Sequence, residues 1–139
     1  MELRQSPGFL INQLAHMMQV ELEHRLTQYG VTSSQWAVLA LLWKKEGLSQ
    51  VDIQHKLRLE KATVTGLIQR MTRSGLVFKN TDPYDKRIHR IFLTDKGKQL
   101  EAFLIPEAMN VNERVLTGFS TEQKEIFLQL IKKSISNLD

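Results

Sequence analysis

Leu10, Leu14, Met17/Met18, Leu22 and Leu26 recur at helical spacing behind Ser6-Pro7. The pattern predicts a first helix from about residue 6 to Tyr29, with Pro7 at its first position and Gly30 as its stop. Thr32 and Gln35 make a capping box for a second helix. Its Trp36–Trp43 run is apolar all round and is expected at the buried centre of the fold. Ser49, with Asp52 three residues on, caps a short helix whose apolar contacts are Ile53 and Leu57. A break at Arg58–Leu59 leads into a helix from about Lys61 to Ser74. There Val64, Leu67, Ile68 and Met71 form one buried stripe, and Gly75 supplies a left-handed stop.

Beyond Gly75 the period changes. Two short β-prone runs, Leu76–Lys79 and Ile88–Leu93, flank the turn-rich Asn80–Lys86. Thr94 then caps a long helix carrying Leu100, Phe103, Leu104, Ile105, Met109, Val111 and Val115, which Pro106 is expected to kink or interrupt. Gly118 ends it. The capping box Ser120-Thr121-Glu122-Gln123 opens a last helix with Ile126, Phe127, Leu130, Ile131 and Ile135. The expected fold is mainly α, and helix, tight turn, helix and charged hairpin over Leu48–Thr94 follow the order of a winged helix-turn-helix.

The Lys61–Ser74 helix shows what that motif would hold. At 100° per residue, Ala62, Gly66, Gln69 and Arg73 stand opposite the apolar stripe, flanked by Lys61, Thr63, Thr65 and Arg70, with no carboxylate among them. Small residues let a backbone approach a groove floor, Thr63, Thr65 and Gln69 can exchange hydrogen bonds with base edges, and the cations can reach phosphates. In the hairpin tip, Asp85 stands two residues before Arg87 and can hold that guanidinium extended, a form suited to a narrow minor groove. Lys86 adds a further cation beside it. The candidate DNA contacts are therefore Lys61, Ala62, Thr63, Thr65, Gly66, Gln69, Arg70, Arg73, Asp85, Lys86 and Arg87.

Charge supports this placement. The 139-residue chain carries +4 overall, yet Lys56–Lys98 has eleven Lys/Arg against four Asp/Glu, a net +7. The remainder has eight against eleven, a net −3. A basic lobe on a mildly acidic body is the footprint of a polyanion-binding protein. At 42% hydrophobic and 24% charged the composition is that of one globular domain. There is no cysteine, which excludes disulfides, thiolate metal sites and cysteine-based oxidant sensing. The N-terminal stretch shows no signal-peptide pattern, and the longest apolar run, Trp36–Trp43, is far below a membrane span. A cytoplasmic location without membrane contact is the expectation.

Leu48–Gln50, the Lys61–Thr65 run KATVT, Gly75-Leu76-Val77, the wing DPYDKR and Leu93-Thr94-Asp95-Lys96-Gly97, together with TSSQWAVL over Thr32–Leu39, resemble the MarR family of bacterial regulators. The ordered set spans nearly the whole chain. Three positions depart from the family pattern: Arg58 where glycine is frequent, Gly66 where arginine is common, and Gln69 where an acid is common. The resemblance implies a winged helix-turn-helix lobe over about 32–94. It also implies a helical region over about 6–30 and 95–138 through which two copies dimerise. The expected function is a homodimeric transcription regulator, a repressor of an inverted-repeat operator on double-stranded DNA, with small phenolic or lipophilic anions as effectors.

For an effector, His16, Met17, Met18, Tyr29 and Trp36 are the candidates to line a cleft between the terminal helices and the basic lobe, with ordinary core packing as their competing role. His16 and His24, eight residues apart on one helix, stand about 12 Å apart by rise and cannot chelate one ion. No cofactor or metal is expected. Nucleophile elbow, phosphate loop and metal triad are all absent, so an enzyme is not expected. The remaining rival is a winged helix that binds only proteins; such a surface would tolerate acids on the outer face of the Lys61–Ser74 helix.

Overall fold

The computed structural model describes residues 1–139. Its helices are α1 (Pro7–Leu26), α2 (Ser33–Lys44), α3 (Gln50–Leu57), α4 (Lys61–Arg73), α5 (Asp95–Gln99), α6 (Glu101–Val115) and α7 (Thr121–Asn137). Its strands are β1 (Leu48–Ser49), β2 (Val77–Thr81) and β3 (His89–Leu93). The caps act where the sequence puts them. Ser6 caps α1 and Thr94 caps α5, while Thr32, Ser49 and Ser120 each close a reciprocal capping box with the residue three places on. Each such box satisfies two backbone N–H groups that the first turn of a helix leaves open.

The strands form one antiparallel sheet in the order β1-β3-β2, with Asn80 and Phe78 opposite Arg90 and Phe92. Leu48 lies opposite Ile91 across the short β1–β3 pair. That third strand carries no periodicity of its own, being only two residues long, and the hydrophobic pattern predicts only the two wing strands. It pins the N-terminus of α3 to the root of the wing.

Leu26, Leu39, Ile53, Ile68, Ile91 and Leu104 are all 0% exposed. They come from α1, α2, α3, α4, β3 and α6, so one core joins the basic lobe to the first and sixth helices. Burying a side chain of this size is worth about 1.5–3 kcal/mol. The Trp36–Trp43 run is less enclosed than its composition predicts: Val38, Leu39 and Leu42 are buried, while Trp36 and Trp43 pack against the core only in part.

The long helix after Thr94 departs from expectation. It is interrupted at Leu100, between α5 and α6, and not at Pro106, which lies inside α6. The interruption is slight, since Leu100 keeps helical angles (φ −68°, ψ −20°) and its N–H still reaches Lys96 O at 3.3 Å. Pro106 removes the N–H that would meet the Ala102 carbonyl. Both residues are exposed, so water can satisfy that carbonyl and the helix continues.

α7 buries none of its residues. Leu128, Leu130 and Ile135 are each more than half exposed there, as are Met17 and Val20 on α1 and Met109 on α6. No helix is long and apolar enough to cross a membrane.

Candidate nucleic-acid interface

α3, α4 and the wing present one continuous surface. The turn between the helices is made by Arg58, which holds left-handed angles (φ 54°, ψ 46°) and is the one non-glycine residue with positive φ. Its N–H reaches His55 O at 3.3 Å, and the next N–H, of Leu59, reaches Gln54 O at 3.1 Å. These bonds close the end of α3 and redirect the chain into α4.

Val64, Leu67, Ile68 and Met71 are at most 2% exposed, as their spacing predicts. The opposite side of α4 presents Lys61, Ala62, Thr63, Gln69, Arg70 and Arg73 to solvent, with Thr65 and Gly66 partly covered. The cover has identifiable sources. A Cβ on Gly66 would stand 3.3 Å from Arg70 Nη1, so the Arg70 guanidinium folds back across the glycine. Thr65 Oγ1 accepts a 2.6 Å hydrogen bond from Gln50 Nε2 at the start of α3.

The wing is built on two aspartates. Asp82 is 8% exposed, and its Oδ1 accepts the N–H groups of Tyr84 (2.8 Å) and Asp85 (3.0 Å). Asp85 accepts from the Arg87 backbone N–H (3.0 Å), from Nε (3.1 Å) and from Nη2 (3.0 Å). The Arg87 side chain is thereby held bidentate while 89% exposed, the extended form that its spacing from Asp85 predicts. The Arg87 guanidinium holds the Asp85 carboxyl below the ordinary aspartate range, and the Arg90 guanidinium does the same for Asp82. Both carboxylates therefore stay charged at neutral pH, and the guanidinium of Arg87 is locked further into its cationic form. Lys86 stands exposed beside Arg87.

Between α3 and the wing lies an open cleft of about 620 Å³, into which Gln50, Lys61, Arg87, His89 and Arg90 project. Asp52 is its only carboxylate. That group is committed to the capping box by the Ser49 N–H at 3.0 Å, which also lowers its pKa.

Residues 31–89, from just before α2 to the first residue of β3, match the MarR family. Over 98% of this chain and 99% of the relative, the sequence is 32% identical to the transcriptional regulator HosA of Escherichia coli O111:H-. The chain belongs to the MarR family. Members of this family are transcriptional regulators and not enzymes. The fold agrees: a MarR transcriptional regulator from Methanosarcina mazei Go1 superposes with a TM-score of 0.86 at 30% identity, over 94% of this chain and 95% of that one. The S. aureus MepR–DNA complex superposes at 0.89 and 25% identity, over 95% and 98%.

Within this MarR-family chain, Lys61 of α4 and Arg87 of the wing are the predicted DNA contacts that line the basic cleft. The five candidate effector contacts are not gathered at one cavity. His16 and Met17 lie exposed on α1, whereas Tyr29 and Trp36 pack against the core, Tyr29 with its ring 6.0 Å from that of Phe103. None of them lines the cleft between α3 and the wing or the apolar groove beside Phe119 and Phe127. The reason is rotational: Leu22 and Leu26 of α1 turn into the core, while His16 and Met17 lie on its exposed part. Three residues of this surface escape a reading by spacing. Gln50 resembles any helix-start glutamine, Asp82 reads only as a turn residue before Pro83, and Arg90 only as one cation of a cluster. Their partners lie 15, 8 and 43 residues away.

Proposed function

We propose that this protein is a homodimeric, sequence-specific repressor that binds an inverted-repeat operator in double-stranded DNA. The observation that carries this reading is the carboxylate-free outer face of α4 beside a wing that projects a fixed arginine. α4 enters the major groove, with Thr63, Thr65 and Gln69 toward base edges and Ala62 and Gly66 permitting close approach. Lys61, Arg70, Arg73 and Lys86 reach phosphates, and Arg87, oriented by Asp85, enters the adjacent minor groove. The 32–94 lobe does the reading.

The regions 6–30 and 95–138 supply the dimer. The exposed apolar residues of α1, α6 and α7 need cover, and a second copy related by a two-fold axis covers all three at once. Such a dimer on a promoter obstructs other large proteins, which makes repression the proposed sign, acting in the cytoplasm where the DNA lies. Release by a small phenolic or lipophilic anion would act at the join between the terminal helices and the lobe, where Tyr29 and Trp36 meet the core.

Selection of bound sequences from a random duplex pool, followed by footprinting, tests the reading. The expected product is an inverted repeat with half-site centres about 10 bp apart. Gln69→Ala should cost about 1–3 kcal/mol on that site and much less on altered half-sites, whereas Arg73→Ala should weaken every duplex alike and reduce the salt slope by about one. Recovery of no sequence, with both variants behaving as the parent, would return the surface to protein binding.

A further inference from the structure

Gln50 is the first residue of α3 and Thr65 the fifth of α4, and a single short bond joins them, from Gln50 Nε2 to Thr65 Oγ1 at 2.6 Å. A threonine hydroxyl has one hydrogen to give and two lone pairs to receive with. On a helix it commonly spends that hydrogen on the carbonyl four residues back, as Thr72 does with Ile68 O at 2.8 Å. Thr65 makes no such bond; Gln50 is its side-chain partner. Because the amide nitrogen can only donate, it takes a lone pair of Oγ1 and leaves the hydroxyl hydrogen unspent. Thr65 lies beside Gly66 and between the exposed Thr63 and Gln69, at the edge of the surface proposed to face the groove.

We infer that Gln50 is a specificity-positioning residue: by occupying one of the two lone pairs of the Thr65 hydroxyl, it biases that group toward giving its hydrogen to the groove. The inference rests on the proposed DNA-binding function and assigns part of its base preference. A hydroxyl biased toward donating pairs best with an acceptor on a major-groove edge: N7 or O6 of guanine, N7 of adenine or O4 of thymine. Cytosine offers only its N4 amino donor there. A cytosine facing Thr65 is therefore the least favoured base, because it must take the one lone pair that Gln50 leaves free. The half-buried setting sharpens the choice, since a donor facing a donor with water excluded leaves both unpaired.

The test is a binding titration of the full-length chain and its variants against the selected operator and all its single-base changes. Thr65→Val, which keeps the shape and removes the hydroxyl, should lose about tenfold on the operator and its preference at one base pair. Gln50→Ala should relax preference at that same base pair, and the double variant should bind within about twofold of Thr65→Val alone, because the two side chains act as one unit. Gln50→Glu gives the inverse result. Its carboxylate can only accept, so the Thr65 hydrogen turns inward and a lone pair faces the groove. Cytosine should then become the favoured base at that position, on a lower overall affinity from the added charge.

Losses that simply add, or a Gln50→Ala loss that is uniform over the panel, overturn the inference while leaving DNA binding intact. An unchanged preference in a Gln50→Glu variant that binds duplex overturns it as well, because binding shows that the variant is folded. If the parent protein binds no duplex, the DNA-binding reading fails first and this one with it.

Discussion

Arg90 Nε stands 2.7 Å from Asp82 Oδ2, and this ion pair ties the return strand of the wing to its tip. The same guanidinium donates through Nη1 to Gly47 O at 2.9 Å, in the loop between α2 and β1. Asp82 thus holds the Tyr84 and Asp85 amides on one oxygen and the lobe on the other. Asp82→Ala should leave Arg90 without its carboxylate partner and the tip without its turn, at a cost of about 1–3 kcal/mol in stability. It should also weaken DNA binding, although it removes a negative charge. The salt slope should stay that of the parent, because no phosphate contact is lost. Tighter binding by Asp82→Ala would show that the carboxylate acts by repulsion alone.

The pH dependence of the wing follows from the same pairs. Arg90 holds the Asp82 carboxyl below its ordinary 3.8, and Arg87 does the same for Asp85. A carboxylate lowered in the folded state contributes stability above its unfolded pKa and loses it as pH falls through the folded value. The stability difference between the parent and Asp82→Asn should therefore be flat from pH 8 to about pH 4 and shrink below that. Thermal unfolding of both proteins across the acid range measures it.

Gly97 sits against the backbone carbonyl of Leu76, and its own carbonyl accepts the Trp43 indole N–H at 2.9 Å. A Cβ there would collide with that carbonyl and approach Leu93 Cδ2 to 3.1 Å. The Leu76 carbonyl is held in place by the Thr94 N–H at 3.1 Å, and the Thr94 hydroxyl holds the neighbouring Gly75 carbonyl. Alanine gains about 1 kcal/mol in helix propensity over glycine, which the collision outweighs. Gly97→Ala should lose about 1–2 kcal/mol net in denaturant unfolding. Equal or greater stability would mean that the α5 start can shift away from β2.

Arg58 holds its left-handed turn despite its Cβ. That conformation costs about 1–2 kcal/mol for an ordinary residue. Its ion pair with Asp139 at 2.6 Å joins two side chains that are 62% and 63% exposed, so it returns little. Arg58→Gly should raise stability by about 0.5–1 kcal/mol after the extra freedom of glycine in the unfolded chain is counted. Asp139→Asn should change it by less. A destabilised Arg58→Gly would show the ion pair to be stronger than its exposure implies.

What the sequence by itself determined is local. The α4 stripe, the capping boxes at Thr32, Ser49 and Ser120, the stops at Gly30 and Gly75, and the Asp85–Arg87 pair all join residues within about one helical turn. Spacing along the chain therefore specifies them. The charge imbalance was likewise legible, because it depends on composition and not on contact. Tertiary structure alone decided the rest. β1 exists because Leu48 meets Ile91, the helix break falls at Leu100 and not at Pro106, and Met17 faces solvent while Trp36 faces the core. Gln50 with Thr65, and Arg90 with Asp82 and Gly47, are bonds between segments that approach only after the core closes. A hydrogen bond needs its partners within about 3 Å. Folding brings those groups that close, and no periodicity in the chain encodes which of them will meet.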